Sequence, residues 1–134
     1  ENALRDYAFS KLNLTPDRIR FVLKPRQDEL MRLYVKAHLF LFSSPSDTQG
    51  IVINEALACS LPVIATPGIG QNASIAPGIN GEIVANAPEM AQTIIDISAD
   101  QRRYDALQKG AYSSSKAYRA SLLSKQLFKL YESL

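Results

Sequence analysis

An α/β fold on an open, doubly wound parallel sheet is what this sequence predicts, and three observations carry the prediction. Short apolar runs recur at residues 19–23, 39–42, 62–65 and 82–84. They alternate with longer segments of helical spacing, the rhythm of successive strand, helix, strand units. The 134 residues, 46% of them hydrophobic, fit one domain whose core needs no disulfide or metal. Crossovers of one hand then lay the strands parallel, and a ligand crevice opens at their carboxyl ends.

The elements follow in order. ENALRDYAFSKLNL places Leu4, Tyr7, Ala8 and Leu12 at helical spacing, without an initiator Met or a capping residue, as in a segment cut from something longer. Residues 19–23 (IRFVL) read as a strand, after which Lys24 and Arg26 read as structural or peripheral cations. In QDELMRLYVKAH, Leu30, Leu33, Tyr34 and Ala37 fall on one helix face, and Asp28 is placed to cap its start. LFLF is the next strand, residues 50–60 a second helix, and PVIAT another strand. The segment TPGIGQNASIAPGING is too rich in Gly and Pro for regular structure and reads as a long functional loop. After GEIV, Pro88 suits the first turn of a helix to about Ser98, and a further helix runs from Arg102 to about Lys116. Leu123, Leu127, Leu130 and Leu134 form a last apolar stripe that needs a surface to cover.

Charge and composition exclude several classes. Fifteen basic and 13 acidic residues give a net charge of +2 with no run of like charge, which gives nucleic acid binding little support. Tyr104, Tyr112 and Tyr118 fit amphipathic helices better than a base-stacking platform. One cysteine, Cys59, makes no internal disulfide, and with the single histidine, His38, it makes no familiar zinc set. Cys59 reads as core packing and His38 as structural or surface. A reducing, cytosolic compartment is the simplest reading, with no apolar run approaching the roughly 20 residues that span a bilayer. Gly68, Gly70 and Ala73 match G-x-G-x-x-A, but Pro77 and Gly78 follow too soon for the helix a dinucleotide site requires.

The chemistry concentrates in SDTQGIVINEALAC, residues 46–59. On a helix beginning near Gly50, Glu55 shares a face with Ile51, Val52, Ala58 and Cys59. Isolated burial of its carboxylate would cost several kcal/mol, so it is solvated at the rim, paired with a distant cation, or turned to a polar ligand. Asp47 lies in the preceding loop, where it is a helix cap or a ligand contact. Free amides at that helix start attract an anion. The layout suits a nucleoside diphosphate, with Gly50 and Ile51 amides toward phosphate, Glu55 toward ribose hydroxyls and Asp47 or nearby amides toward a sugar.

Three blocks carry a family resemblance: LMRLYVKAHLFLFSSPSDTQG, then GIVINEALACSLPVIAT, then GINGEIV, followed by helices ending in FKLYESL. In this order they resemble the carboxyl-terminal half of a retaining glycosyltransferase of family 4, with the GT-B fold. The resemblance covers nearly the whole chain and implies a single Rossmann-like donor-nucleotide-binding domain over residues 1–134. It also implies that the acceptor-binding amino-terminal domain and the first strand of this half, with a basic pair that neutralises diphosphate, precede Glu1.

In that family two acids with seven residues between them frame the donor site; here they correspond to Asp47, where Glu is usual, and Glu55. The resemblance implies catalytic roles for both. Glu55 would bind the ribose, amides of Gly50, Ile51 and Val52 would approach the diphosphate, and Asp47, Thr48 and Gln49 would line the sugar pocket. Where members carry an acid shortly after paired glycines, this chain has Asn72, Ala73 and Ser74.

The implied activity is transfer of a hexose from a UDP-sugar or GDP-sugar to a lipid, polysaccharide or other glycan, with retained configuration. Neither cofactor nor metal is needed, and the segment alone is expected to be inert. Cell-envelope or other glycan biosynthesis in the cytoplasm, compatible with peripheral association at the inner membrane face, follows from the same resemblance. A noncatalytic sugar-nucleotide module, a sugar-nucleotide epimerase of the same architecture and a phosphoacceptor receiver stand as alternatives. The receiver is disfavoured because LFLF leads to Ser43 and Ser44 rather than Asp.

Overall fold

The computed structural model describes residues 2–116. The expected stripe at Leu123, Leu127, Leu130 and Leu134, together with Tyr118, lies outside them. Two compact units divide the chain, Glu1–Met31 and Arg32–Leu134.

In the first unit, helix α1 (Asn2–Asp6) leads into a π-helical turn over Tyr7–Lys11. Of the expected stripe only Ala8 is buried; Leu4, Tyr7 and Leu12 are exposed. Residues 19–23, expected as a strand, form none. An apolar run becomes a strand only when its backbone groups meet a neighbouring strand, and no described strand lies in this unit. The segment is held by side chains instead. Phe21 meets Phe9 edge-on with centroids 5.9 Å apart, and the Arg5 guanidinium lies 5.3 Å from the Phe21 ring centre.

Helix α2 (Gln27–Lys36) starts one residue before the expected cap. Asp28 therefore sits in the first turn beside Glu29, where negative charge offsets the positive helix end, and it pairs with Arg26 at 3.3 Å. Tyr34 is the residue of this helix that becomes buried. Ala37, expected on the same face, is exposed just past the helix end.

The second unit holds the sheet. Strands β1 (Phe40–Phe42), β2 (Val63–Ala65) and β3 (Gly81–Ile83) run parallel in the order β1, β2, β3, with Phe40 opposite Val63 and Val63 opposite Gly81. All of β2 is buried, as for a central parallel strand covered on both faces. Helix α3 (Ile51–Ala58) connects β1 to β2, and helix α4 (Ile69–Ser74) lies between β2 and β3. The segment expected to lack regular structure thus contains a short helix. A six-residue helix needs few good formers when tertiary contacts hold it, and the Gly and Pro residues at 67, 68, 77 and 78 flank it rather than interrupt it.

Helices α5 (Ala87–Ala99) and α6 (Gln101–Ser115) close one side. Ile64 packs with Val84, Ile97 and Leu107, and Leu39, Met90, Ile94 and Tyr104 surround this cluster. Asp100 ends α5 and caps α6, its Oδ1 accepting from the Arg103 amide at 3.0 Å. Arg103 also reaches Glu82 at 2.8 Å, tying α6 to β3. Asn86 caps α5 by accepting from the Glu89 amide at 3.0 Å, and Glu89 Oε2 accepts from the Ala85 amide at 2.7 Å. Asn86→Ala is expected to lower stability by about 1 kcal/mol, read as a lower urea midpoint at unchanged slope.

Candidate functional site

In an open parallel sheet the connections leaving the carboxyl ends of the strands carry the ligand crevice. Here these are loop 43–50 after β1 and the turn into α4 after β2. Asp47 organises the first. Its Oδ1 accepts from the amides of Gln49 at 3.1 Å and Gly50 at 3.2 Å, an Asx-type arrangement that folds the loop back on itself. It is therefore not the helix cap: Gly50 occupies that position, with φ of 63° in the left-handed region that favours glycine.

This has a consequence for the amides expected to face an anion. The Gly50 N–H, expected to point to phosphate, donates to Asp47 Oδ1 in this structure. Asn54 donates to Gly50 O at 2.9 Å and is the first residue to complete the helical pattern. The amides of Ile51, Val52 and Ile53 precede it and are the donors that α3 leaves without a carbonyl of its own. Thr48 and Gln49 are exposed and Val52 is half-buried.

Helix α4 grips the same loop. Gln71, fully buried, donates through Nε2 to the Ser44 carbonyl at 2.6 Å, and the Gly70 amide donates to the Asp47 carbonyl at 3.3 Å. The backbones touch: a Cβ on Gly70 would stand 2.5 Å from Gly50 N, and a Cβ on Gly50 2.8 Å from Gly70 O. Beyond α4, Asn80 holds the return to β3, accepting from the Ala76 amide at 2.7 Å and donating to the Ser74 carbonyl at 3.1 Å. The composition of this segment hid Gln71 and Gly70. No local apolar pattern marks Gln71, which lies between Gly70 and Asn72.

Glu55 is half-buried on α3, and its Oε2 accepts from the Tyr34 hydroxyl at 3.3 Å. Its partner is a tyrosine rather than the distant cation considered above. Burial first, and then the Glu55 charge, push the Tyr34 hydroxyl up to about 12, so it stays protonated and able to donate. The same two causes, in the same order, raise Cys59, which is half-buried rather than fully in the core. The signal for Tyr34 was its place on the buried face of its helix, since a buried phenol seeks an acceptor.

Three acceptor oxygens at this edge are buried without a hydrogen-bond partner: Asp47 Oδ2, Asn54 Oδ1 and Gln71 Oε1. By contrast, the cavity of about 190 Å³ lined by His38, Leu39, Ile97, Ser98, Gln101 and Tyr104 lies beyond the opposite end of β1. That is smaller than the roughly 300 Å³ at which ligand pockets begin. Among the described residues no three His, Cys, Asp or Glu side chains group to hold a metal, and no helix is long and apolar enough to cross a membrane.

The model of the family described as glycosyl transferases group 1 matches residues 2–100. Alpha-monoglucosyldiacylglycerol synthase of Acholeplasma laidlawii is 33% identical over 98 residues, 73% of this chain and 25% of its own length. D-inositol 3-phosphate glycosyltransferase of Corynebacterium urealyticum is 32% identical over 119 residues, 87% of this chain and 28% of its own. The chain thus spans about a quarter of these relatives.

Among solved structures, Anabaena Alr3699/HepE in complex with UDP-glucose superposes with a TM-score of 0.84 at 22% identity, covering 99% of this chain and 36% of that one. Sucrose-phosphate synthase from Thermosynechococcus elongatus gives 0.78 at 28%, covering 98% and 34%. The parallel sheet with flanking helices is the expected Rossmann-like α/β fold. A family model matched over most of the chain, together with this shared fold, places the chain in the group 1 glycosyltransferase family.

Proposed function

We propose that residues 1–134 are the donor-nucleotide-binding, carboxyl-terminal half of a retaining GT-B glycosyltransferase that moves a hexose from a UDP-sugar or GDP-sugar to a glycan or lipid. The observation that carries this reading is the juxtaposition, at the carboxyl edge of the sheet, of free first-turn amides on α3 with the Glu55 carboxylate one turn further on. A diphosphate needs the amides and the positive helix end. A ribose diol needs an acceptor, which Glu55 supplies.

In the reaction, the bond between the sugar's anomeric carbon and the diphosphate oxygen breaks, negative charge grows on the leaving diphosphate, and the acceptor hydroxyl oxygen bonds that carbon on the same face while its proton passes to the departing diphosphate. Amides of Ile51 and Val52, fixed before the substrate arrives, stabilise that charge. Gly50 supports the turn rather than the phosphate, since its N–H is held by Asp47. Asp47, Thr48 and Gln49 line the donor sugar pocket. Acceptor recognition belongs to a further domain, consistent with the quarter of its relatives' length that the chain spans, and residues 1–134 alone are inert. The enzyme works in the cytoplasm, at the inner membrane face when its acceptor is a lipid, in cell-envelope or other glycan assembly, with no resident cofactor or metal.

Glu55→Ala is expected to weaken nucleoside diphosphate binding by about 1.5 to 3 kcal/mol, the range for hydrogen bonds to a charged group. Calorimetric titration of the full-length protein with UDP and with GDP measures it, and the tighter ligand names the base. Equal affinity of wild type and variant for both would remove Glu55 from the ribose. Release of free nucleoside diphosphate with a new glycosidic product separates transfer from epimerisation or mere binding.

A further inference from the structure

Glu55 offers its carboxylate among apolar neighbours, so what holds that carboxylate decides how it meets a ligand. Tyr34 is 6% exposed, and its ring is set edge-on against Phe40 of β1, centroids 5.7 Å apart at 69°. A tyrosine has two side-chain torsions, and here packing fixes them. The hydroxyl therefore arrives at Oε2 of Glu55 from a fixed point of the scaffold. At 3.3 Å the bond is longer than the roughly 2.5–2.7 Å of a tight O–H to carboxylate bond, so what holds it in direction is the packing of the Tyr34 ring. The other oxygen, Oε1, keeps its lone pairs. No ion pair to Glu55 is formed among the described residues.

We infer that Tyr34 is a positioning residue: its hydroxyl pins one oxygen of Glu55 so that the other is presented to a pair of vicinal ribose hydroxyls. This rests on the donor-binding reading above. A carboxylate swinging between rotamers would lose part of its bonds to a diol, whereas one anchored at Oε2 makes them from a single pose. Tyr34 acts only through Glu55, so its effect vanishes when Glu55 or the ribose hydroxyls are absent.

The test uses the full-length protein, Tyr34→Phe, Glu55→Ala and the double variant, each titrated with UDP and with 2′,3′-dideoxy-UDP, or with GDP and 2′,3′-dideoxy-GDP in their place if the wild type binds GDP more tightly. Phenylalanine retains the ring against Phe40. Tyr34→Phe is expected to weaken UDP about three- to tenfold, the worth of one modest hydrogen bond, and to leave the dideoxy analogue unchanged. The double variant is expected to bind UDP no more weakly than Glu55→Ala alone, and in turnover the donor KM of Tyr34→Phe rises while kcat holds. Equal loss for both ligands would make Tyr34 a packing residue and overturn the inference. Unchanged UDP affinity in Tyr34→Phe, with a loss in Glu55→Ala, would overturn it while the donor reading stands. No loss in Glu55→Ala would overturn the ribose assignment and this inference with it.

Discussion

Gly70→Ala is expected to lower stability by about 3 kcal/mol, the upper part of the usual range for overpacking, and to weaken nucleoside diphosphate binding more than tenfold. The new methyl would stand 2.5 Å from Gly50 N, 3.1 Å from Gly50 Cα and 3.2 Å from Gln49 N. All three are backbone atoms, so no rotamer change relieves the contact. Either α4 or loop 43–50 must move. Moving α4 stretches the Gly70 to Asp47 bond and the Gln71 to Ser44 bond. Moving the loop shifts Gly50 and with it the first turn of α3, where the free amides are. Urea unfolding and calorimetry with UDP read the two effects. Wild-type values in both would mean that the two backbones do not touch in solution.

Ile64→Ala is expected to cost about 4 kcal/mol, within the range for emptying a large aliphatic site. Ile64 is fully buried in the middle strand, and its partners Val84, Ile97 and Leu107 come from three different segments. The space left behind resists collapse, because β2 is hydrogen-bonded on both sides, to β1 and to β3, while α5 and α6 are tethered together at Asp100. The measurement is the shift in urea midpoint at constant slope. A loss under 1 kcal/mol would show that this cluster is not the centre of the fold.

The three strands and helices α2, α3, α5 and α6 were legible because their apolar residues repeat at the right period and are bounded by turn formers. Residues 19–23 have the same apolar character, yet strand formation is a property of pairs, and their own composition says nothing about a neighbour. Helix α4 failed for the opposite reason. It is six residues long with a glycine and an asparagine among them, and what holds it is tertiary: Gln71 on Ser44 and the contact of Gly70 with Gly50. At the candidate site, spacing puts Asp47 before the amino end of α3 and Glu55 upon it, while the donor-sugar role of Asp47 came only with the family resemblance. Which atoms meet could not be read from spacing. Asp47 has enough reach to claim the Gly50 amide itself, and Tyr34 lies 21 residues before Glu55, too far for any local pattern to join them.

The three ties on loop 43–50, from Gln71 to Ser44, from Gly70 to Asp47 and from Asp47 to Gly50, bear on the thermodynamics of ligand capture. A loop that is floppy when free must surrender its conformational entropy on binding, and that loss is subtracted from affinity. Here the surrender has already occurred during folding, drawn from the stability of the domain. Any substitution that loosens a tie transfers the loss back to the binding step. Its signature is a less favourable binding entropy at nearly constant enthalpy, even when every residue that touches the ligand is unchanged.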